Sequence, residues 1–177
     1  MTMLSCNHLT QLKLGMMSFF PIGAIPIMSQ VSKSVLVPYS AETMFKLVDD
    51  VERYPQFLPW CSGTHVISRD PLETIATIHI RYAGVAKSFT TENKKEGVEC
   101  MRIQLRDGPF KTLRGAWYFQ TLSATACKVK LDLEYTFANG LLERAVGPVF
   151  GMIAETMMDR FVSRADALFA HDSFSSS

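Results

Sequence analysis

The stretch CKVKLDLEYTF, residues 127–137, constrains the fold more than any other part of the chain. Cys127, Val129, Leu131, Leu133, Tyr135 and Phe137 fall on one side of an extended backbone. Lys128, Lys130, Asp132, Glu134 and Thr136 fall on the other. A period of two with one wet face is the signature of a half-buried strand in an antiparallel sheet. Weaker alternations cover residues 74–82, 85–92, 98–105 and 113–122, with GTHVIS ahead of them. RDPLE, AGV, KKEG, DGPFK and LSATA supply the turns between them. These runs predict a meander of about six strands. The β-branched run VSKSVLV, halted by Pro38, can add a seventh.

Helical signals occur at only two places. Ser40 is positioned to cap AETMFKLV, with Glu42 in the first turn. A short second helix around residues 51–54 then runs into a proline-limited loop. At the other end Leu142, Val146, Val149, Ile153, Met157, Phe161, Ala165 and Leu168 recur at three- and four-residue steps. They predict one helix of about 29 residues, roughly 43 Å long. Pro148 should kink its first turns or split off a lead-in helix. The expected architecture is α+β: a curved antiparallel sheet of about seven strands wrapped on a long C-terminal helix, with two short helices after the first strand.

A chain of 177 residues suits one domain. Its boundaries are drawn at 29–170, with residues 1–28 an N-terminal extension outside the fold and 171–177 a fraying tail. The apolar stretch LGMMSFFPIGAIPIM is broken by prolines and glycines and is shorter than the ~20 residues of a membrane span. A net charge of +1 gives no electrostatic case for nucleic acid or an anionic membrane. The cluster NKKEG reads as a solvated hairpin turn. Four scattered cysteines and four scattered histidines show neither zinc spacing nor a disulfide framework, which favours a reducing compartment. No Ser-His-Asp, Cys-His or paired-carboxylate spacing argues for catalysis, and neither a metal nor a cofactor is expected.

DDVERYPQFLPWCSG, residues 49–63, gathers Tyr54, Phe57, Leu58 and Trp60 where Pro55 and Pro59 forbid one long helix. Two readings stand side by side. The segment is a minor core under a loop, or it is the lid of an apolar pocket with Asp49, Asp50 and Glu52 facing water. DGPF is likewise a plain hairpin tip or part of a pocket mouth.

Taken together, LVPYSAETMFKLVDDVERYPQFLPWCSG, SFTTEN, LRDGPFKTLRGAWYF, VKLDLEYTFAN and VGPVFGMIAETMMDRFVSRA resemble the START-like helix-grip superfamily. The similarity is to the branch holding the coenzyme-Q-binding proteins and the ribosome-association toxin, older label polyketide or oligoketide cyclase/dehydrase-like. The resemblance implies a sheet gripping its last helix around an apolar tunnel. It places Tyr54, Phe57, Leu58 and Trp60 in a flap at the mouth, and Pro109 and Phe110 in a facing loop with Trp117 on the strand beyond. Phe150, Ile153 and Met157 belong to the helix face.

Three functions follow from the resemblance. The first is non-enzymatic binding of ubiquinone or a similar prenyl lipid, supporting respiration or quinone biosynthesis, in the cytoplasm with transient contact to the inner membrane. The second is binding of the large ribosomal subunit so as to block subunit joining, through a patch of Lys87, Lys94, Lys95, Arg102, Lys111 and Arg114. The third, a polyketide cyclase-type enzyme, finds no catalytic constellation to support it. The first two part on one observable: a greasy hollow favours the carrier, and an interior filled by the protein's own side chains favours the ribosome.

Overall fold

The computed structural model describes residues 28–170. Of the expected extension (1–28), residues 1–27 lie outside the described residues, as does the expected tail (171–177). Strand β1 (Ser29–Val37) leads into α1 (Ala41–Asp49), a single 3-10 turn (Val51–Arg53) and α2 (Tyr54–Phe57). Six strands follow: β2 (Cys61–Arg69), β3 (Glu73–Tyr82), β4 (Val85–Glu96), β5 (Cys100–Asp107), β6 (Phe110–Ser123) and β7 (Ala126–Phe137). Helix α3 (Gly140–Phe169) closes the chain. All seven strands form one antiparallel sheet in the order β1-β7-β6-β5-β4-β3-β2. The meander therefore needs one long return, and the first strand pairs with the last. This is the helix-grip architecture expected from the sequence.

Local chemistry explains most boundaries. The Ser40 hydroxyl accepts from the Thr43 backbone N–H at 3.1 Å, and the Asn139 side chain caps α3 through the Leu142 N–H at 2.9 Å. Ala83 (φ 47°) and Gly84 (φ 80°) make a two-residue turn that joins the paired Tyr82 and Val85. Gly108 (φ 140°) lets the β5–β6 connection cross β4, because a Cβ there would sit 2.6 Å from that of Phe89.

Two expectations are corrected. NKKEG is not a solvated turn: β4 continues through Glu96 and the chain reverses at Gly97 (φ 63°). Pro148 does not split α3, which is unbroken over 30 residues. Pro148 and Arg144 both lie on the exposed side, so the Arg144 carbonyl that loses its i+4 donor faces water.

The concave face of the sheet and α3 enclose the core. The alternating residues of β7 from Cys127 to Phe137 are all buried, as their spacing requires. On α3 the buried stripe is Val146, Phe150, Ile153, Ala154, Met158, Phe161 and Ala165, whereas Leu168 is exposed. At one end of the core an aromatic cluster packs edge to face. Phe150 meets Phe110 at 4.6 Å and Tyr135 at 4.8 Å, and Phe89 meets Phe110 at 5.8 Å.

Candidate functional site

An interior cavity of about 60 Å³ lies between the sheet and α3. Ala76, Ile78, Phe89, Ile103, Leu113, Leu131 and Leu133 of the sheet contribute apolar wall, and Val48 and Val51 close the α1 side. Of the residues the sequence singled out, Tyr54, Trp60, Trp117, Phe150 and Met157 line it. The other five lie elsewhere. Leu58 and Ile153 are buried in the surrounding core, and Phe110 belongs to the aromatic cluster. Pro109 is half-buried in the β5–β6 connection. Phe57 is half-buried on α2 and packs against Phe161 of α3.

Tyr54 and Trp60 of the proline-rich segment line this space, and the segment is anchored to α1 and α3. Pro55 sits in the first turn of α2, where its missing N–H costs nothing, and so starts the helix. The Tyr54 hydroxyl donates to the Val48 carbonyl at 2.6 Å, fixing α2 against α1. Phe161 of α3 meets both Tyr54 (5.3 Å) and Phe57 (5.2 Å). Arg164 lies 5.5 Å from the Phe57 ring centre and donates to the Gln56 side-chain oxygen at 2.8 Å. Where the resemblance implies a tunnel, the structure holds a small space of about 60 Å³.

The acids of the segment are not simply solvated. Asp49 accepts from Lys95 Nζ at 2.8 Å and from the Thr74 hydroxyl at 3.1 Å, with side chains only 20% and 7% exposed for Asp49 and Lys95. This pair pins the end of α1 to β3 and β4 beside the cavity. Glu52 takes a two-pronged contact from Arg69 at 2.8 and 2.9 Å. The Glu52 carboxyl lies below its ordinary range: partial desolvation pushes it up, and the Arg69 hydrogen bonds outweigh that.

Chemically the cavity is quiet. Burial, with Asp49 nearby, pushes the Tyr54 phenol far above its ordinary value, so it stays neutral. Burial also raises the neighbouring Cys61 thiol, the opposite of what a nucleophile needs. No charged side chain lines the space. Among the described residues, no group of three metal-ligating side chains could hold an ion. Two residues the sequence reading passed over, Thr91 and Asn93, bring polar atoms to the wall from β4. Only their inward phase with Phe89 marked them.

The outer face of the sheet carries a groove of about 920 Å³. Lys94, Arg102, Lys111, Arg114 and Lys130 line it together with Glu92, Asp132 and Glu134. Most of these cations are answered: Lys94 by Glu92 (2.8 Å), Arg114 by Glu134 (2.8 Å) and Lys130 by Asp132 (2.6 Å). Arg102 pairs with Glu96 at 2.6 Å, and Arg106 also reaches Glu92. Lys95, expected in this patch, turns inward to Asp49 instead. Lys87 and Lys111 have no ion-pair partner among the described residues.

Comparison with known proteins agrees with the geometry. Residues 37–162 match the family described as polyketide cyclase / dehydrase and lipid transport. A ribosome association toxin RatA of Vibrio cholerae is 44% identical over 142 residues, covering 80% of this chain and 99% of the relative. A mitochondrial coenzyme Q-binding protein of Schizosaccharomyces pombe is 25% identical over 145 residues, covering 75% and 84%. Among solved structures, a START superfamily protein from Mycobacterium smegmatis superposes with a TM-score of 0.66 at 23% identity, covering 78% of this chain and 98% of the other. A sheet closed on its last helix and these relatives agree: the chain has a START-like fold and belongs to the polyketide cyclase / dehydrase and lipid transport family, with the RatA toxins among its relatives.

Proposed function

We propose that this protein acts without catalysis, by binding the large ribosomal subunit in the cytoplasm and hindering subunit joining. The observation that carries the reading is the 44% identity to a ribosome association toxin across 99% of that relative's length. The interior supports the same choice. A cavity of about 60 Å³ is several-fold below the roughly 300 Å³ at which ligand pockets begin. The outer groove, with its cations mostly paired to neighbouring acids, suits recognition by shape and hydrogen bonding more than by counterion release. A shallow salt dependence is therefore expected. The test is co-sedimentation with purified 50S subunits through a sucrose gradient at moderate salt. The protein should travel with the large subunit and not the small one. Its absence from large-subunit fractions sinks the reading.

A second reading keeps the interior for a prenyl lipid such as ubiquinone. The apolar wall and the 25% identical coenzyme Q-binding relative favour it. It requires α2 to swing away from Phe161 and Arg164, with transient contact to a membrane surface during loading. Organic extraction of protein purified from quinone-producing cells, followed by mass spectrometry, tests it. An extract free of prenyl lipid removes it.

A further inference from the structure

The net charge of +1 conceals a division between the two sides of the molecule. Residues 41–57, which hold α1 and α2, carry four acids against two cations, and α3 carries four against three. The groove on the outer face of the sheet reverses the balance, with five cations against three acids. Height sharpens the difference. The side chains of Lys94 and Glu92 are 59% and 7% exposed, and those of Arg114 and Glu134 are 72% and 29%. Lys130 likewise stands above Asp132. The acids lie low, so a partner arriving from outside meets the cations first. Lys111 in the groove, and Lys128, exposed in phase with Lys130 on β7, have no ion pair among the described residues.

The groove crosses five adjacent strands, from Gln30 and Ser32 on β1 to Glu92 and Lys94 on β4. At about 4.8 Å per strand it is about 19 Å wide. Its floor is low because small Ala116 occupies the centre, facing Asp132 on one side and Arg102 on the other. Raised cations around a low floor suit a polyanion. The hydrogen-bonding groups narrow the choice to RNA. The recessed carboxylates accept, and Gln30, Gln104 and Tyr118 both accept and donate. A-form RNA displays 2′-hydroxyls along a wide, shallow minor groove, and DNA has none to offer such acceptors. We infer that this groove is the surface that meets the RNA of the large subunit. It seats the sugar–phosphate edge of an A-form helix, with cations against phosphates and carboxylates and amides against 2′-hydroxyls. The inference rests on the ribosome reading and deepens it, naming the face and assigning the contact to RNA and not to a ribosomal protein. The paired cations keep their acids, so Lys111 and Lys128 bring the main uncompensated charge to phosphate, in keeping with a shallow salt dependence. The acidic helical side is turned away, so the same division orients the approach.

Full-length protein is tested in two assays: fluorescence anisotropy with a labelled RNA duplex, and co-sedimentation with purified 50S subunits. Lys111→Gln and Lys128→Gln remove exposed, unpaired charges, so folding is not at stake. The double variant should bind the duplex at least about tenfold more weakly. Each single variant should flatten the slope of log affinity against log salt by about one. Arg160→Gln removes the same charge from an exposed α3 position without an ion pair among the described residues, and should leave affinity unchanged. A DNA duplex of the same sequence should bind at least several-fold more weakly. An equal loss in Arg160→Gln overturns the inference, since bulk charge then decides, and so does equal binding of DNA. A double variant as tight as its parent on both RNA and 50S subunits sinks this inference and leaves the ribosome reading standing. If the double variant loses the 50S subunit while the parent ignores the RNA duplex, a ribosomal protein fills the groove and the assignment to RNA falls. If the parent ignores 50S subunits yet binds the duplex through Lys111 and Lys128, the groove stands as an RNA surface and the ribosome reading falls.

Discussion

The Asp49–Lys95 pair offers a sharp test of how the flap is held. Its two charges are 2.8 Å apart, and the Lys95 side chain is 7% exposed against 20% for Asp49. The two halves are not equivalent when the partner goes. In Asp49→Ala the ammonium keeps one contact, the Asp70 carbonyl at 3.2 Å, in a nearly dry site. Breaking a buried pair from one side typically costs about 3–5 kcal/mol, and the partial opening on the Asp49 side places this case near ~3 kcal/mol. In Lys95→Met the carboxylate keeps the Thr74 hydroxyl and its own access to water, so about 1–2 kcal/mol is expected. For a domain of this size ~3 kcal/mol corresponds to a Tm lower by about 6–12 °C.

Urea unfolding followed by circular dichroism at pH 7 measures all three quantities: each single variant and the Asp49→Ala/Lys95→Met double. The double should lose less than the sum of the singles by about 1–2 kcal/mol, because no buried charge is left alone. The Asp49→Ala loss should persist at 0.5 M NaCl, as screening barely reaches a desolvated pair. Glu42→Ala, which breaks the exposed Lys46–Glu42 pair on α1, is the control and should stay within error. An Asp49→Ala loss under about 0.5 kcal/mol, or one that vanishes with salt, would refute the claim that this pair is a desolvated pin.

Two further outcomes follow from the geometry. The hydrogen bond from Tyr39 to Asp166 (2.7 Å), with burial and the Asp166 charge adding to it, pushes the Tyr39 phenol up to about 12. A value raised above the unfolded ~10 means stability is full below pH ~10 and falls as pH rises toward 12. Urea midpoints from pH 8 to 11.5 should decline less steeply in Tyr39→Phe, and parallel curves would remove the argument. Gly108→Ala places a Cβ 2.6 Å from that of Phe89 at a φ of 140°, so about 2–3 kcal/mol should be lost; a variant as stable as the parent contradicts the close β5–β4 approach.

The architecture was legible because its signals are local and periodic. The alternation of residues 127–137, the Ser40 cap and the three- and four-residue steps of α3 each name an element without reference to the rest of the chain. The misses share a different cause. Lys94 and Lys95 looked like a solvated turn because their charges did, yet alternation sends Lys95 inward to a partner 46 positions away. Leu168 fit the periodic pattern of α3 and still points to water, while its neighbour Phe169 packs against Tyr39. Phe57, Pro109 and Phe110 followed the flap and loop motifs, but which aromatic faces a cavity and which packs behind it depends on sheet curvature. No spacing rule encodes that. Asn93 was passed over for the same reason, although it brings a buried amide to the wall.

The energetics of that interior argue that polarity, and not empty space, is what needs explaining. At roughly 24 cal/mol per Å³, a void of about 60 Å³ costs on the order of 1.4 kcal/mol, well within net stabilities of about 5–15 kcal/mol. Each unpartnered polar atom costs about 1–3 kcal/mol, so Trp60 Nε1 and Asn93 Oδ1 together exceed the void. Substitution separates the two contributions. Trp60→Ala is unsuitable, because a 1% exposed indole also fills core and its truncation costs about 3–5 kcal/mol. Trp60→Phe keeps most of the ring and deletes the donor. Where the N–H is an orphan the ligand-free protein should be no less stable than its parent, whereas a donor already bonded to buried water should leave the variant weaker by about 1 kcal/mol.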